Sequence, residues 1–318
     1  MRRLLASLLL VFSFCALHAQ ETYLFAQRDT CNLYLDIFRP ADGSEITFQD
    51  MAKPTVIHVF GGGFVTGSRN GDYFRKWIDK MNQEGYTVVT FDYRLGMKGY
   101  KVGKGLRGTF KASEQFEYSQ QIGVEDLFSA VSYLCENSEE LGIDPSNMVV
   151  AGSSAGAIIT LAAIREIANG TAQGLPEGFR FKGAMSFAGA IISAHGTPKF
   201  QSAPCPVLLM HGTADKAVEY NKLAFFGRGV WGSSYWARQF QKKGYPCCIY
   251  RFQDRSHDVA SYHLALWELE KRFLQENVML GHARNVDALV DDASLPTWGS
   301  ISLNDIYKKW ERYTSLHQ

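Results

Sequence analysis

A chain of 318 residues that is 46% hydrophobic and 20% charged has the material for one large globular core or two small ones, and too much apolar content for an extended solvated chain. Its formal net charge of +1 supplies no excess of cations for phosphate backbones, and no run of consecutive basic residues marks a local patch. Nucleic acid is therefore not an expected partner.

The chain begins with Arg2 and Arg3, then the apolar stretch LLASLLLVFSFCAL, then HAQE. This is the pattern of a secretory leader over residues 1–19, cut after Ala19, with residues 20–318 as the mature chain. The apolar stretch falls short of the roughly 20 residues that span a bilayer, and no later segment is longer or more apolar. Phe14 stands where a lipid-attachment signal at Cys15 would carry a small residue. An exported protein, periplasmic or secreted, with no membrane span in its mature form is the expectation. Removing Cys15 with the leader leaves Cys31, Cys135, Cys205, Cys247 and Cys248, an odd number, so at least one thiol stays free or pairs between chains. Cys247 and Cys248 are neighbours on a strand-like segment, point to opposite faces and make poor partners. The cysteines are expected to act as small buried hydrophobes. No spacing fits a zinc site, and no metal or organic cofactor is expected.

TYLFAQ and NLYLDIFR alternate like half-buried strands around the turn RDTC, an antiparallel opening pair. From Thr55 the grammar changes. TVIHVF is a compact apolar run, FRKWIDKMNQEG has helical spacing closed by Gly85, and YTVVTFDYRL is again a strand. Residues 96–121, rich in glycine, lysine and aromatics, read as an irregular insertion. GVEDLFSAVSYLCENSEELG reads as an amphipathic helix ending at Gly142. Alternation then continues with NMVVAG, FKGAMSFAG, CPVLLMHG and PCCIYRF as strands. The helices among them are AGAIITLAAIREIAN, SSYWARQFQKKG and YHLALWELEKRFLQEN. Apolar strands separated by helices indicate a mostly parallel sheet covered on both faces, within one domain whose core runs from about residue 23 to 277. The tail, residues 281–318, has less pattern and is expected to pack across the surface.

In an open α/β sheet, ligands gather outside the carboxyl ends of the strands. Ser154 stands there, in Gly152-Ser153-Ser154-Ala155-Gly156, between a strand and a helix. Small residues at 152, 155 and 156 permit a sharp turn that exposes the central hydroxyl, the GxSxG arrangement, and leave Ser153 at the variable position. A serine needs a base, and the base needs an acid to orient it. Later strand ends supply both: VLLMHGTAD leads to Asp215, and IYRFQDRSHD leads to His257. Asp254 is the runner-up acid, and Asp258 adjoins the base too closely to orient it. His58 and His211 read as structural, His195 as an exposed loop residue and His263 as a helix residue. HVFGGGF, residues 58–64, offers bare N–H groups for an oxyanion; the GxxxxGK[ST] and GxGxxG spacings of phosphate cradles are absent.

Taken in order, HVFGGGF, FDYRLG, GSSAG, HGTAD and RSHD resemble the α/β-hydrolase superfamily, in its carboxylesterase and hormone-sensitive-lipase-like branch, over roughly Tyr23 to Asn277. The resemblance implies an α/β-hydrolase fold with Ser154 as nucleophile, Asp215 as acid and His257 as base. It further implies the N–H groups of Gly62, Gly63 and Ala155 as the oxyanion hole, and a structural role for Asp92–Arg94. One departure stands out: Phe60 occupies the place of the histidine usual before the glycines. The expected activity is cleavage of carboxylic esters, with a small-molecule or glycan ester as partner and oligomeric state open. Phe225, Phe226 and Trp231, soon after Asp215, are candidates for the substrate rim. The alternatives are a serine peptidase of the prolyl-oligopeptidase type and a non-catalytic binding protein on the same scaffold. Ala157 after GxSxG and the lack of room for a large extra domain speak against the first. The complete Ser, Asp and His set speaks against the second.

Overall fold

In the computed structural model the described residues are 20–297. Residues 1–19, read above as an expected leader, and the chain beyond residue 297 lie outside them. Strands β1 (Gln20–Arg28) and β2 (Cys31–Phe38) form the expected antiparallel pair, and β2 joins β6 (Val88–Phe91), also antiparallel. A small ribbon, β3 (Thr47–Phe48) with β4 (Met51–Ala52), precedes β5 (Thr55–Val59). Next in the main sheet come β7 (Met148–Ser153), β8 (Gly183–Phe187), β10 (Val207–Gly212), β13 (Cys247–Phe252) and β14 (Val286–Val290). The spatial order is β1-β2-β6-β5-β7-β8-β10-β13-β14, parallel from β6 onward. Every residue of β5, β7, β8 and β10 is buried, as strands covered on both faces require.

Helices α1 (Arg75–Gln83), α2 (Gly105–Glu136), α3 (Ser138–Leu141), α4 (Ala155–Asn169), α5 (Ser233–Lys243) and α6 (Trp267–Phe273) fill the connections. A π-helical turn over Leu274–Met279 continues α6. Gly142, Gly170 and Gly244 close α3, α4 and α5 in the left-handed conformation. The strands β9 (Ala190–Ser193), β11 (Lys222–Phe225) and β12 (Arg228–Gly232) form a second, three-stranded sheet in the order β11-β12-β9.

Two expectations need correction. Residues 96–121 are not irregular throughout: from Gly105 they are the first turns of the 32-residue helix α2. Its inner face is small rather than apolar, because a Cβ on Gly108 would lie 2.1 Å from the Gly103 carbonyl oxygen and one on Gly96 would lie 2.4 Å from Ser119 Oγ. Close packing through glycine and serine removed the hydrophobic period that marks a helix. The tail does more than lie on the surface, since Val286–Val290 is β14, the outermost strand, in parallel register with Cys248–Phe252. The five described cysteines are free thiols, and burial raises those of Cys247 and Cys248.

Candidate active site

Ser154 is the hinge between β7 and α4, with φ 54° and ψ −118°, a conformation that costs free energy for a residue with a Cβ. The neighbours make room for it. A Cβ on Gly156 would stand 2.0 Å from the Val59 carbonyl oxygen, and one on Gly152 would stand 2.3 Å from the Gly156 carbonyl oxygen. Only glycine lets the helix start so close to β5. The Ser153 hydroxyl donates to the Ala260 carbonyl, which occupies it away from the bend.

Ser154 Oγ lies 2.8 Å from His257 Nε2, and His257 Nδ1 lies 2.8 Å from Asp215 Oδ2. The carboxylate can only accept, so Nδ1 carries the proton and Nε2 turns its lone pair to the serine hydroxyl. Asp215 Oδ1 accepts from the backbone N–H groups of Ala217 and Val218. Its Oδ2 is shared with a second imidazole, His211 Nε2 at 3.1 Å, which also reaches the Val218 carbonyl at 3.1 Å. Both partners of His211 Nε2 are acceptors, so that nitrogen bears hydrogen, while Nδ1 meets Ser233 Oγ at 2.9 Å. Burial would raise the Asp215 carboxyl, but the hydrogen bonds from His211 and His257 outweigh it and hold the group well below the usual carboxylate range. Asp254 is exposed, and its backbone N–H donates to Thr213 Oγ1; Asp258 is buried within the 3-10 turn that begins at His257.

A cavity of about 230 Å³ opens beside Ser154. Ala155 and Gly63, two of the three expected oxyanion donors, line it; Gly62 does not. Gly62 has φ 129°, and its place could hold no Cβ, which would lie 2.1 Å from the Thr66 carbonyl oxygen. Where the histidine of the resemblance is missing, Phe60 stacks on Tyr93 with ring centroids 4.3 Å apart, and the Tyr93 hydroxyl donates to the Phe60 carbonyl. Gly61 N–H donates to the Tyr73 hydroxyl, and Arg94 bonds Asp126. The glycine loop is thus held by two tyrosines rather than a histidine. Tyr73 escaped the sequence reading, and His211 and Tyr93 were read as structural only, because nothing in their local pattern distinguishes them from packing residues.

The walls of this cavity are Phe64, Ile158, Ile192, Val218 and Val230, with Ala112 and Phe116 of α2 on one side. The proposed rim residues do not line it. Trp231 is fully buried, because side chains alternate along β12 and Val230 takes the cavity face. Phe225 and Phe226 stand at the β11–β12 turn, 67% and 85% exposed. A larger cleft of about 860 Å³ lies beside the β1–β2 turn and contains none of Ser154, Asp215 and His257. Among its charges Arg28 and Arg94 pair with Asp126 and Asp92 pairs with Arg69, whereas Asp29 and Lys98 make no ion pair among the described residues.

His58 and His263 form a different group. Both are buried, with ring centroids 5.5 Å apart, and among the described residues neither has a hydrogen-bond partner on either nitrogen. His263 is a core residue packed 3.8 Å from the Phe187 ring, deeper than the helix position read from its pattern suggested. Desolvation pushes His58 down to about 3 and His263 well below the ordinary histidine range. Glu270, fully buried beside them, is pushed well up by the same cause despite accepting from Trp77 Nε1 at 2.8 Å.

The family model for the carboxylesterase family matches residues 14–194, more than half of the chain. The chain belongs to the carboxylesterase family. That match contains the glycine loop and Ser154 and stops before Asp215 and His257. Among curated relatives of this family member, fumonisin B1 esterase of Sphingopyxis macrogoltabida is 34% identical over 125 residues, covering 39% of this chain and 21% of that protein. Lipase 1 of Geotrichum candidum is 28% identical over 128 residues, 40% of this chain and 21% of that one. The chain therefore matches only about a fifth of the length of these relatives. The solved structure of Thermogutta terrifontis esterase 2 phosphoramylated by tabun aligns with a TM-score of 0.58 at 21% identity, over 82% of this chain and 96% of that one. A butyrate-bound structure of the same esterase gives 0.56, over 82% and 95%. The fold is the α/β-hydrolase fold, as expected.

Proposed function

We propose that this carboxylesterase-family chain is a serine hydrolase that cleaves carboxylic esters through an acyl-enzyme on Ser154. The continuous hydrogen-bonded line Ser154–His257–Asp215, 2.8 Å at each step, carries the reading. His257 Nε2 takes the hydroxyl proton as Oγ attacks the ester carbonyl, and the resulting imidazolium faces an ionised Asp215. Ala155 N–H, at the positive end of the 15-residue helix α4, and the glycine loop serve the oxyanion. His257 then returns the proton to the departing alkoxide and activates water to release the acid.

The apolar cavity supports short, uncharged acyl or alcohol groups as substrate. Glu219 is the one ionisable side chain among its lining residues, so an anionic substituent would meet a carboxylate and no cation. A propionate-bound structure of Thermogutta terrifontis esterase 2 is in keeping with a short acyl group. On the leader read from the sequence, the enzyme works outside the cytosol. The test is a series of p-nitrophenyl esters of rising acyl length, run beside acetylated sugars and aminoacyl-proline amides. Turnover concentrated on short acyl esters is expected; cleavage of the amides with no ester turnover would overturn the reading.

A further inference from the structure

The mouth of the Ser154 cavity is framed by two segments that meet there, the start of α2, which lines it with Thr109 and Ser113, and strand β12, which lines it with Gly229 and Val230. Arg228 ties them together: its guanidinium bonds Glu114 at 2.8 Å and sits 5.5 Å over the Phe110 ring. Around this junction large apolar side chains face water. On the α2 side they are Val102 (56% exposed), Leu106 (76%) and Phe110; on the hairpin they are Leu223, Phe225 and Phe226. The Phe225 and Phe226 rings meet edge to face, 4.4 Å apart, at the tip of the turn.

Cations accompany these apolar residues along the same stretch of chain, with Lys98 at its start lining the separate cleft beside the β1–β2 turn. Between residues 98 and 113 the chain has Lys98, Lys101, Lys104, Arg107 and Lys111 and no carboxylate. All five are exposed, and none makes an ion pair among the described residues. They are spaced three or four residues apart, so no consecutive basic run betrays them in the sequence. On α2, at about 100° per residue, Leu106 and Phe110 stand about 60° and 100° round from the cavity-lining Thr109, and Arg107 and Lys111 about 160° and 200° round, on the side away from the cavity. The result is a graded surface: cavity mouth, then an apolar rim, then unpaired cations.

We propose that this face docks the protein on an anionic lipid surface, with the Phe225–Phe226 turn and the Leu106–Phe110 side of α2 entering the headgroup region and the cations lying among the lipid headgroups. The apolar rim would gain nothing from a soluble polyanion, and the unpaired cations would gain nothing from a neutral apolar partner; an anionic bilayer satisfies both. Such docking turns the cavity mouth toward the surface, so an ester in the lipid layer reaches Ser154 without crossing bulk water.

The test is sedimentation of the protein expressed from the full chain with sucrose-loaded vesicles, either pure phosphatidylcholine or phosphatidylcholine containing phosphatidylglycerol. Binding to the anionic vesicles, weak binding to the neutral ones and loss of binding in high salt are expected. The triple variant Lys104→Gln, Arg107→Gln, Lys111→Gln is expected to weaken partitioning by about 10²-fold, near fivefold for each cation. The double variant Phe225→Ser, Phe226→Ser is expected to weaken it by about tenfold or more. Both should keep wild-type melting temperatures, since these side chains are exposed. No sedimentation of wild type with anionic vesicles, or variants that bind as wild type does, would overturn the proposal. So would full competition by polyglutamate with no effect of the phenylalanine variant, which would mark a polyanion site. The readout uses no turnover, so Ser154→Ala protein must sediment like wild type, and failure here is distinct from failure of the esterase reading.

Discussion

Two pairs of histidines lie near the carboxyl ends of the same sheet, and they have opposite fates. His257 and His211 converge on one carboxylate, Asp215, whose oxygens are further held by two backbone N–H groups. His58 and His263 are as deeply buried as His211, yet their nitrogens face aromatic rings, and Glu270 Oε1 stays 3.8 Å from His263 Nδ1. Burial is common to His211, His58 and His263, and His257 is half-buried. What differs is the partner: hydrogen bonds from two imidazoles keep Asp215 ionised, whereas desolvation keeps His58 and His263 neutral and outweighs the single bond from Trp77 to keep Glu270 neutral. A polar residue in a core thus acts as charge or as packing according to the geometry of its acceptors, not its type.

The comparison can be broken most severely at the first pair. Ser154→Ala or His257→Ala is expected to lower kcat by about 10⁶ with an unchanged melting temperature, whereas Ser153→Ala retains activity, and a fluorophosphonate probe should label Ser154. Labelling at another serine would refute the assignment. Asp215→Asn comes next, at about 10⁴ in kcat, since the amide favours the wrong tautomer of His257; Asp254→Asn should stay close to wild type. His211→Gln removes a bond to Asp215 without touching the reacting atoms, so a loss of up to about 10²-fold is expected, confined to kcat with KM unmoved. A fall in KM and kcat alike would point to a collapsed site instead.

The second pair is expressed in stability rather than rate, and the effect is smaller. His58 and His263 have folded-state values below the unfolded value of about 6.5. Their contribution is therefore complete above that pH and is lost as pH falls, at about 1.4 kcal/mol per pH unit for each. Glu270 works the other way. Its raised value means the folded state holds a proton that the unfolded state has released above about 4.5, so its contribution is lost as pH rises. Near pH 5 two histidines outweigh one glutamate and stability rises with pH by about 1.4 kcal/mol per unit, a slope that fades toward about pH 6.5 as the unfolded imidazoles lose their protons. Urea unfolding across that window should show the slope, His58→Phe should flatten it, and Glu270→Gln should steepen it. A pH-independent midpoint in the wild type would show that the cluster is charged or hydrated.

The elements legible in the sequence are those whose pattern is local. The buried strands announce themselves as apolar runs, and the bend at Ser154 through glycines that sterics demand. The order Ser154, Asp215, His257 follows from strand ends, and the structure brings all three side chains together. The rest depends on contacts made at a distance. The early turns of α2 are hidden because glycine and serine form its inner face. Trp231 looked like a rim residue because an aromatic draws the eye, while the alternation that buries it becomes meaningful only once β12 is known to be a strand. The double use of Asp215 by two imidazoles requires β10 to return through the turn at Val218, which no spacing in the sequence expresses.

The last strand has a consequence for the order in which the molecule can be completed. A ribosome delivers β1 through β13 before Val286 emerges, so the growing chain holds the Ser154, Asp215 and His257 side chains while the β13 edge still presents bare backbone donors and acceptors. Only β14 covers that edge, through the register Cys248 with Val286 to Phe252 with Val290. A nascent or nicked chain lacking those five residues therefore holds the Ser154, His257 and Asp215 side chains and an adhesive flank beside them, the condition for strand exchange between neighbours. Closing the sheet therefore follows synthesis of the whole Ser154, Asp215 and His257 set, and the segment that does it lies some 29 residues beyond the base, by the count from His257 to Val286.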